Sequence, residues 1–256
     1  MSESNTNTPS TLNLPEGRRI AYHQLEGKSP GVVFLGGFRS DMTGSKAMRL
    51  EHWAQKNGRA FLRFDYTGHG ASSGNFEYGT IGDWAQDAWD AIIHLTSGPQ
   101  IFVGSSMGGW IMLLLARRLQ EQNNADRLAG LVGVAAAPDF TEDLMKPNFS
   151  ESERMALAHT GRIVQPSAYD EEPTVITQRL LDDGANNLVL RSPLAIDAPV
   201  RLLHGSADPD VPLSVGLCLL DWIDCSDARM IIIKDAGHRL SEPTALELLE
   251  KTVADL

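Results

Sequence analysis

Short apolar runs alternate with longer amphipathic stretches along most of the chain. Arg18 to Leu25 alternates partially and reads as an early strand. Val32-Val33-Phe34-Leu35 is a continuous apolar run ended by Gly36-Gly37, as in a short buried strand. Met42 to Lys56 carries Ala47, Leu50 and Ala54 at helical spacing, and Gly58 ends it as a C-cap. Ala60 to Phe64 is the next strand, Asp65 to Gly70 its turn, and Ile81 to Leu95 a helix closed by Gly98-Pro99. The strand Gln100 to Val103 leads to a helix, Trp110 to Leu119, that is apolar nearly all round and so expected at the centre of the fold. Leu128 to Ala136 is another buried strand. Strands alternating with helices predict βαβ units, a mainly parallel central sheet and helices on both of its faces.

Residues 139–198 break this rhythm. They hold prolines at 147, 166, 173 and 193, a charged helix near Glu151–His159 and another near Thr174–Leu181. The stretch reads as a small cap inserted between two sheet strands. The alternation resumes with Val200 to Leu203, a helix over Leu213–Trp222, the strand Met230 to Ile233 and a last helix over Thr244–Val253. The first ten residues are polar and read as a disordered tail, and 11–256 as a single α/β domain carrying the cap.

Composition narrows the classes. A chain of 256 residues needs no staples to hold its core. Its net charge of −11, with no basic cluster, argues against nucleic acid and anionic membrane surfaces as partners. The longest apolar run falls far short of the roughly 18 residues a bilayer crossing needs. The two cysteines, Cys218 and Cys225, would stand about 10.5 Å apart on one helix, too far for a disulfide, and read as buried thiols in a reducing compartment. No Lys or Arg precedes Arg18 and no apolar core follows, so no signal or transit peptide is read and a cytoplasmic location is expected.

The candidate chemistry centres on Gly104-Ser105-Ser106-Met107-Gly108-Gly109. Strand, Gly-x-Ser-x-Gly, helix is the setting of a nucleophile elbow, which lifts Ser106 above the sheet edge at positive φ. A Gly/Ser-rich linker is the plainer reading, but a tight turn feeding a buried helix favours a site. The Met107 N–H, at a helix N-terminus, suits a negative oxygen. A second such donor is expected from Phe38, in the loop Gly36-Gly37-Phe38, although an ordinary turn would also fit. A serine hydroxyl needs a base and an acid that orients it. His238, in Asp235-Ala236-Gly237-His238, follows the last strand. Asp208 follows the strand before it, with Asp210 as the alternative acid. The other histidines read as turn, strand-end, surface or cap residues. Leu144, Met145, Phe149, Met155 and Leu157 are apolar cap residues suited either to lining an acyl pocket or to packing the cap down. There is no Gly-x-Gly-x-x-Gly after the first strands and no ligand cluster at metal spacing, so neither cofactor nor metal is expected.

With these residues in place, the chain resembles the α/β-hydrolases over nearly all of 12–256. Gly36-Gly37-Phe38 with Met42 to Ala47, Arg63 to Tyr66, Gly104 to Trp110 and Arg201 to Gly205 resemble one branch more closely. That branch includes a mitochondrial protein S-depalmitoylase that also cleaves acyl glucuronides, and bacterial relatives. The resemblance implies a serine esterase or thioesterase with Ser106, Asp208 and His238 as its triad. It would act through an acyl-serine on a small-molecule ester, an acyl-thioester or an acylated protein. Gly36-Gly37 stands where many hydrolases carry His-Gly, but a backbone donor survives that change. The targeting segment of the mitochondrial member has no counterpart here. A C–C bond hydrolase or acyltransferase on the same triad is the rival within enzymes, and a binding protein that lost its chemistry the rival outside them.

Overall fold

The computed structural model describes residues 8–166 and 173–256. Of the expected tail, residues 1–7 lie outside the described residues. Ser10 already belongs to β1 (Ser10–Asn13), which pairs antiparallel with β2 (Arg19–Leu25). β3 (Lys28–Leu35) and β4 (Arg59–Phe64) follow, with α1 (Ser45–Asn57) between them. Then come α2 (Ile81–Leu95), β5 (Gln100–Ser105), α3 (Met107–Glu121) and β6 (Leu128–Val134).

After β6 the chain leaves the sheet. A π-helical turn, Thr141–Met145, runs into α4 (Lys146–Asn148), and α5 (Glu151–Thr160) opens on a capping box between Ser150 and Glu153. β7 (Arg162–Gln165) and β8 (Thr174–Thr177) form an antiparallel pair, followed by α6 (Gln178–Asn186) and the short β9 (Leu194–Ala195). β10 (Val200–Gly205), α7 (Leu213–Trp222), β11 (Ile223–Asp224), β12 (Ala228–Ile233) and α8 (Pro243–Ala254) complete the fold.

The main sheet runs β1-β2-β4-β3-β5-β6-β10-β12 and is parallel from β4 to β12. β3, β5 and β6 sit at its centre, where Val33, Phe102 and Leu131 are buried on one face and Val32, Ile101 and Val132 on the other. The first face is covered by α2, α3 and α7 through Trp84, Trp110 and Leu219, the second by α1 and α8 through Leu50, Ala54 and Leu249. This is the expected α/β architecture, with helices on both faces of a mostly parallel sheet.

Several boundaries moved for identifiable reasons. α1 starts at Ser45 rather than Met42, because the Met42 N–H donates to the buried carboxylate of Asp65 at 2.6 Å. The helix expected near Thr174 begins only at Gln178: the β-branched run Thr174-Val175-Ile176-Thr177 pairs as a strand, and the Thr177 side chain caps the helix after it. The two cysteines do not share a helix, and Cys218 is exposed rather than buried. Cys225 lies beyond α7 and donates to the carbonyl of Ala198 at 3.2 Å.

Candidate active site

The turn between β5 and α3 has no spare space. A Cβ at Gly104 would fall on the backbone of Gly108, and one at Gly108 on the carbonyl of Leu35 at the end of β3. Ser106 between them adopts φ 53° and ψ −118°. Three hydrogen bonds hold it there. Its N–H donates to Val134 O at 3.0 Å, and its carbonyl accepts from Gly109 at 2.8 Å and Ala137 at 3.0 Å. The helix begins at the next residue, so the Met107 N–H has no carbonyl one turn back to bond. α3 is buried almost all round, as its composition predicts.

The ends of β10 and β12 bring the other two groups to the same edge. Ser106 Oγ lies 3.0 Å from His238 Nε2, and His238 Nδ1 lies 2.8 Å from Asp208 Oδ2. The second oxygen of Asp208 accepts the N–H groups of Asp210 and Val211, each at 2.9 Å, so its side chain is fixed by its own loop. His204 braces that loop with Nε2 at 2.9 Å from the Val211 carbonyl. Burial disfavours charge on Asp208, but the His238 contact and these two amides outweigh it and hold the carboxyl below its usual range. Asp208, Asp210 and His238 place ligand atoms within 4.8 Å of one another, as a metal site would. Both oxygens of Asp208 and both ring nitrogens of His238 are taken up by the hydrogen bonds just described.

The loop after β3 closes the opposite side of the serine. The Cα of Gly37 is so near that a Cβ there would lie 3.4 Å from Ser106 Cβ. The Gly37 carbonyl accepts from Ser40 N at 3.2 Å and Ser40 Oγ at 2.9 Å. A trans peptide then points the Phe38 N–H the other way. The Phe38 ring is anchored edge-on against Phe76, Phe140 and Trp84 at 4.9, 5.7 and 5.9 Å.

Ser106 and His238 open into a cavity of about 810 Å³. Of the five cap residues expected to line it, Leu144 and Met145 do. Phe149 is buried in the core beneath, Leu157 packs against that core, and Met155 is 56% exposed on the far side of α5. Phe140 and Ile176 line the wall without having been read from sequence. So does Lys46, from the first turn of α1, whose Nζ donates to the Arg239 carbonyl at 2.5 Å. Burial, and then the neighbouring Arg239 charge, lower its pKa to about 8. No local sequence signal marks Lys46, because it meets Arg239 only through the fold.

A strained serine between strand and helix, facing histidine and aspartate from later strand ends, defines a hydrolase fold, and the chain belongs to the alpha/beta hydrolase family, whose pattern it matches over residues 32–249. It is a hydrolase. Among curated proteins it is similar to the human "Palmitoyl-protein thioesterase ABHD10, mitochondrial", 37% identical over 249 residues, 96% of this chain and 79% of the relative. The bovine protein of that name is likewise 37% identical over 250 residues, covering 96% of this chain and 79% of its own. The solved mouse "Alpha/beta hydrolase domain-containing protein 10" superposes with a TM-score of 0.87 at 35% identity, covering 97% of both chains. A structure from Agrobacterium vitis S4 gives 0.92 at 37% identity, covering 96% of this chain and 97% of its own. These curated relatives are named as mitochondrial, which overturns the cytoplasmic location expected from the amino-terminal residues. Among the described residues no helix is long and apolar enough to cross a membrane.

Proposed function

We infer that this protein is a serine hydrolase that cleaves acyl thioesters and carboxylic esters through an acyl-serine intermediate. The observation that carries this reading is the continuous chain Ser106–His238–Asp208, with contacts of 3.0 and 2.8 Å, at the floor of a cavity. His238 Nε2 takes the proton from Ser106 Oγ as the oxygen attacks the acyl carbonyl, and returns it to the departing thiolate or alkoxide. Water then attacks the acyl carbonyl as His238 Nε2 takes its proton, and the same proton passes to Ser106 Oγ as its bond to the acyl group breaks and the acid departs. Asp208 keeps the proton of the neutral ring on Nδ1 and steadies the imidazolium. The oxyanion is held by the backbone N–H groups of Met107 and Phe38. One such donor is worth about a hundred- to a thousandfold in rate.

The acyl chain lies against Phe38, Phe140, Leu144, Met145 and Ile176, in a cavity within the roughly 300–1,000 Å³ usual for small-molecule sites. The name of the curated relatives supports a thioester as the scissile bond and a long acyl chain beside it. The test pairs a fluorophosphonate probe with a substrate panel. The probe should label the protein and not Ser106→Ala, and palmitoyl thioesters should be cleaved with higher kcat/KM than acetyl esters. Labelling that persists in Ser106→Ala would overturn the mechanism, and a preference for acetyl esters would overturn the substrate class.

A further inference from the structure

His238 sits in a short loop, residues 234–242, between β12 and α8. Two left-handed residues bracket it, Asp235 at φ 58° and Leu240 at φ 45°, a backbone that side-chain-bearing residues keep only where neighbours hold it. Upstream of the histidine the loop is tied to the residues just after β10. The Asp235 N–H donates to Ser206 Oγ at 2.8 Å, and the Ala236 carbonyl accepts from the Ala207 N–H at 3.0 Å. From there on the ties change in kind. Gly237, His238, Leu240 and Ser241 make no backbone–backbone hydrogen bond among the described residues.

Two side chains hold the carbonyl of Arg239 instead. Ser241 Oγ donates to it at 3.2 Å from within the loop, and Lys46 Nζ at 2.5 Å from α1. Of the two, only Lys46 ties the loop to another element. Its neighbour Ala47 is wholly buried, so the lysine stands on a firmly packed turn. A cation in the first turn opposes the helix dipole, and the charge-assisted bond to the carbonyl offsets that cost.

We propose that Lys46 is a positioning residue for His238: its ammonium, bound to the Arg239 carbonyl, fixes the downstream half of the loop and so the approach of Nε2 to Ser106 Oγ. This rests on the serine-hydrolase reading above. Asp208 fixes the ring through Nδ1, but not the main chain that carries the ring. A shift of about 1 Å in a reacting group can cost about a hundredfold in rate. The tie is charged, so it carries a pH signature. Burial and then the Arg239 charge lower the pKa of Lys46 to about 8, with Glu242 opposing. The other charges around α1 engage one another: Arg49 with Glu250 and Glu247 of α8, and Arg63 of β4 with Glu51 and with His23 of β2. Asp41, Asp210 and His238 share the cavity lining with Lys46.

Hydrolysis of p-nitrophenyl butyrate between about pH 6 and about pH 10 tests the role, since an uncharged ester gives the ammonium nothing to pair with. Lys46→Met keeps the stem and removes the charge. At pH 7 its kcat should fall about ten- to a hundredfold with KM within about twofold, in a protein that still shows a cooperative melt. Wild-type kcat should fall toward the same level as pH rises through about 8, and Lys46→Met should show no such fall. Lys46→Arg keeps a donor whose charge persists through this range, so it should recover most of kcat and lack the alkaline fall. A folded Lys46→Met with wild-type kcat, or one that keeps the alkaline fall, would overturn the proposal. So would a rise in KM alone, which would make Lys46 a substrate contact. Should Lys46→Met not fold, identical alkaline limbs in wild type and Lys46→Arg would overturn it. Each of these outcomes leaves the hydrolase reading standing, whereas a wild type that cleaves no ester or thioester would overturn both.

Discussion

Replacing Asp208 with asparagine separates the orienting role of this carboxylate from its part in holding the loop. One oxygen accepts the amides of Asp210 and Val211 at 2.9 Å, and the other lies 2.8 Å from His238 Nδ1. An asparagine keeps the two amides only by presenting its oxygen to them, since its NH2 would repel both donors. The NH2 then faces His238 and donates to Nδ1. The ring is forced to carry its proton on Nε2, 3.0 Å from Ser106 Oγ, where a base is needed. The same change in serine proteases costs about ten-thousandfold in kcat, which at about 1.4 kcal/mol per tenfold is about 5.5 kcal/mol of barrier. Stability should fall by no more than about 1 kcal/mol, because the loop bonds persist. Asp208→Ala is the contrast: it strands two donors, each at a cost of about 1–3 kcal/mol. Steady-state hydrolysis of a p-nitrophenyl ester, read beside a thermal melt, separates the two effects. An asparagine variant within tenfold of wild type would refute the reasoning. So would a folded Asp210→Asn that is inactive while Asp208→Asn is not.

Other outcomes follow from the same geometry. Ser106→Ala should lose at least about a thousandfold in kcat while still binding substrate, measured as kcat and KM on one thioester. Leu144→Ala and Met145→Ala should change the preference among acyl chain lengths, and Met155→Ala, on the solvent side of α5, should not. Gly108→Ala would set its Cβ on the Leu35 carbonyl and should cost about 3 kcal/mol in a denaturant melt. Burial lowers the pKa of His69 from 6.5 to about 4, so the unfolded chain binds the extra proton and stability falls as pH drops through that interval. At about 1.4 kcal/mol per pH unit, His69→Phe should lose about 3 kcal/mol less than wild type between pH 7 and pH 4.

What was legible in the sequence was local. The elbow is six consecutive residues, and the positions of Asp208 and His238 follow from counting strand ends. What escaped was set by contacts between distant segments. The helical spacing of Ala47, Leu50 and Ala54 does not mark where α1 begins; the carboxylate of Asp65, far along the chain, takes the Met42 amide and keeps that residue outside the helix. Ile176 and Leu180 are four apart and mimic a helical face, yet Ile176 pairs with Ile163 across a hairpin. Apolarity is the only signal the cap residues carry in the sequence, and it cannot tell the wall of a cavity from the core beneath it. Leu144 and Phe149 are equally apolar, and only the path of the chain sends one to each.

Asp139 has a consequence of its own. It stands where the chain leaves the sheet, wholly buried, and accepts the amides of Val189 and Leu190 at 2.8 and 2.9 Å, with Arg191 at 3.1 Å. A single side chain thus ties the exit of the excursion to its return, some fifty residues later. The intervening stretch is knotted at its neck like a drawstring bag. Lengthening such a closed loop costs little, since closure entropy grows only with the logarithm of its length. Its contents can be exchanged while the neck keeps both ends together. Chemistry and substrate choice can then drift at different rates in descendants of this chain. A graft from a relative, cut just outside Asp139 and Arg191, should shift the order of kcat/KM across a series of acyl chain lengths and leave kcat for an acetyl ester near wild type.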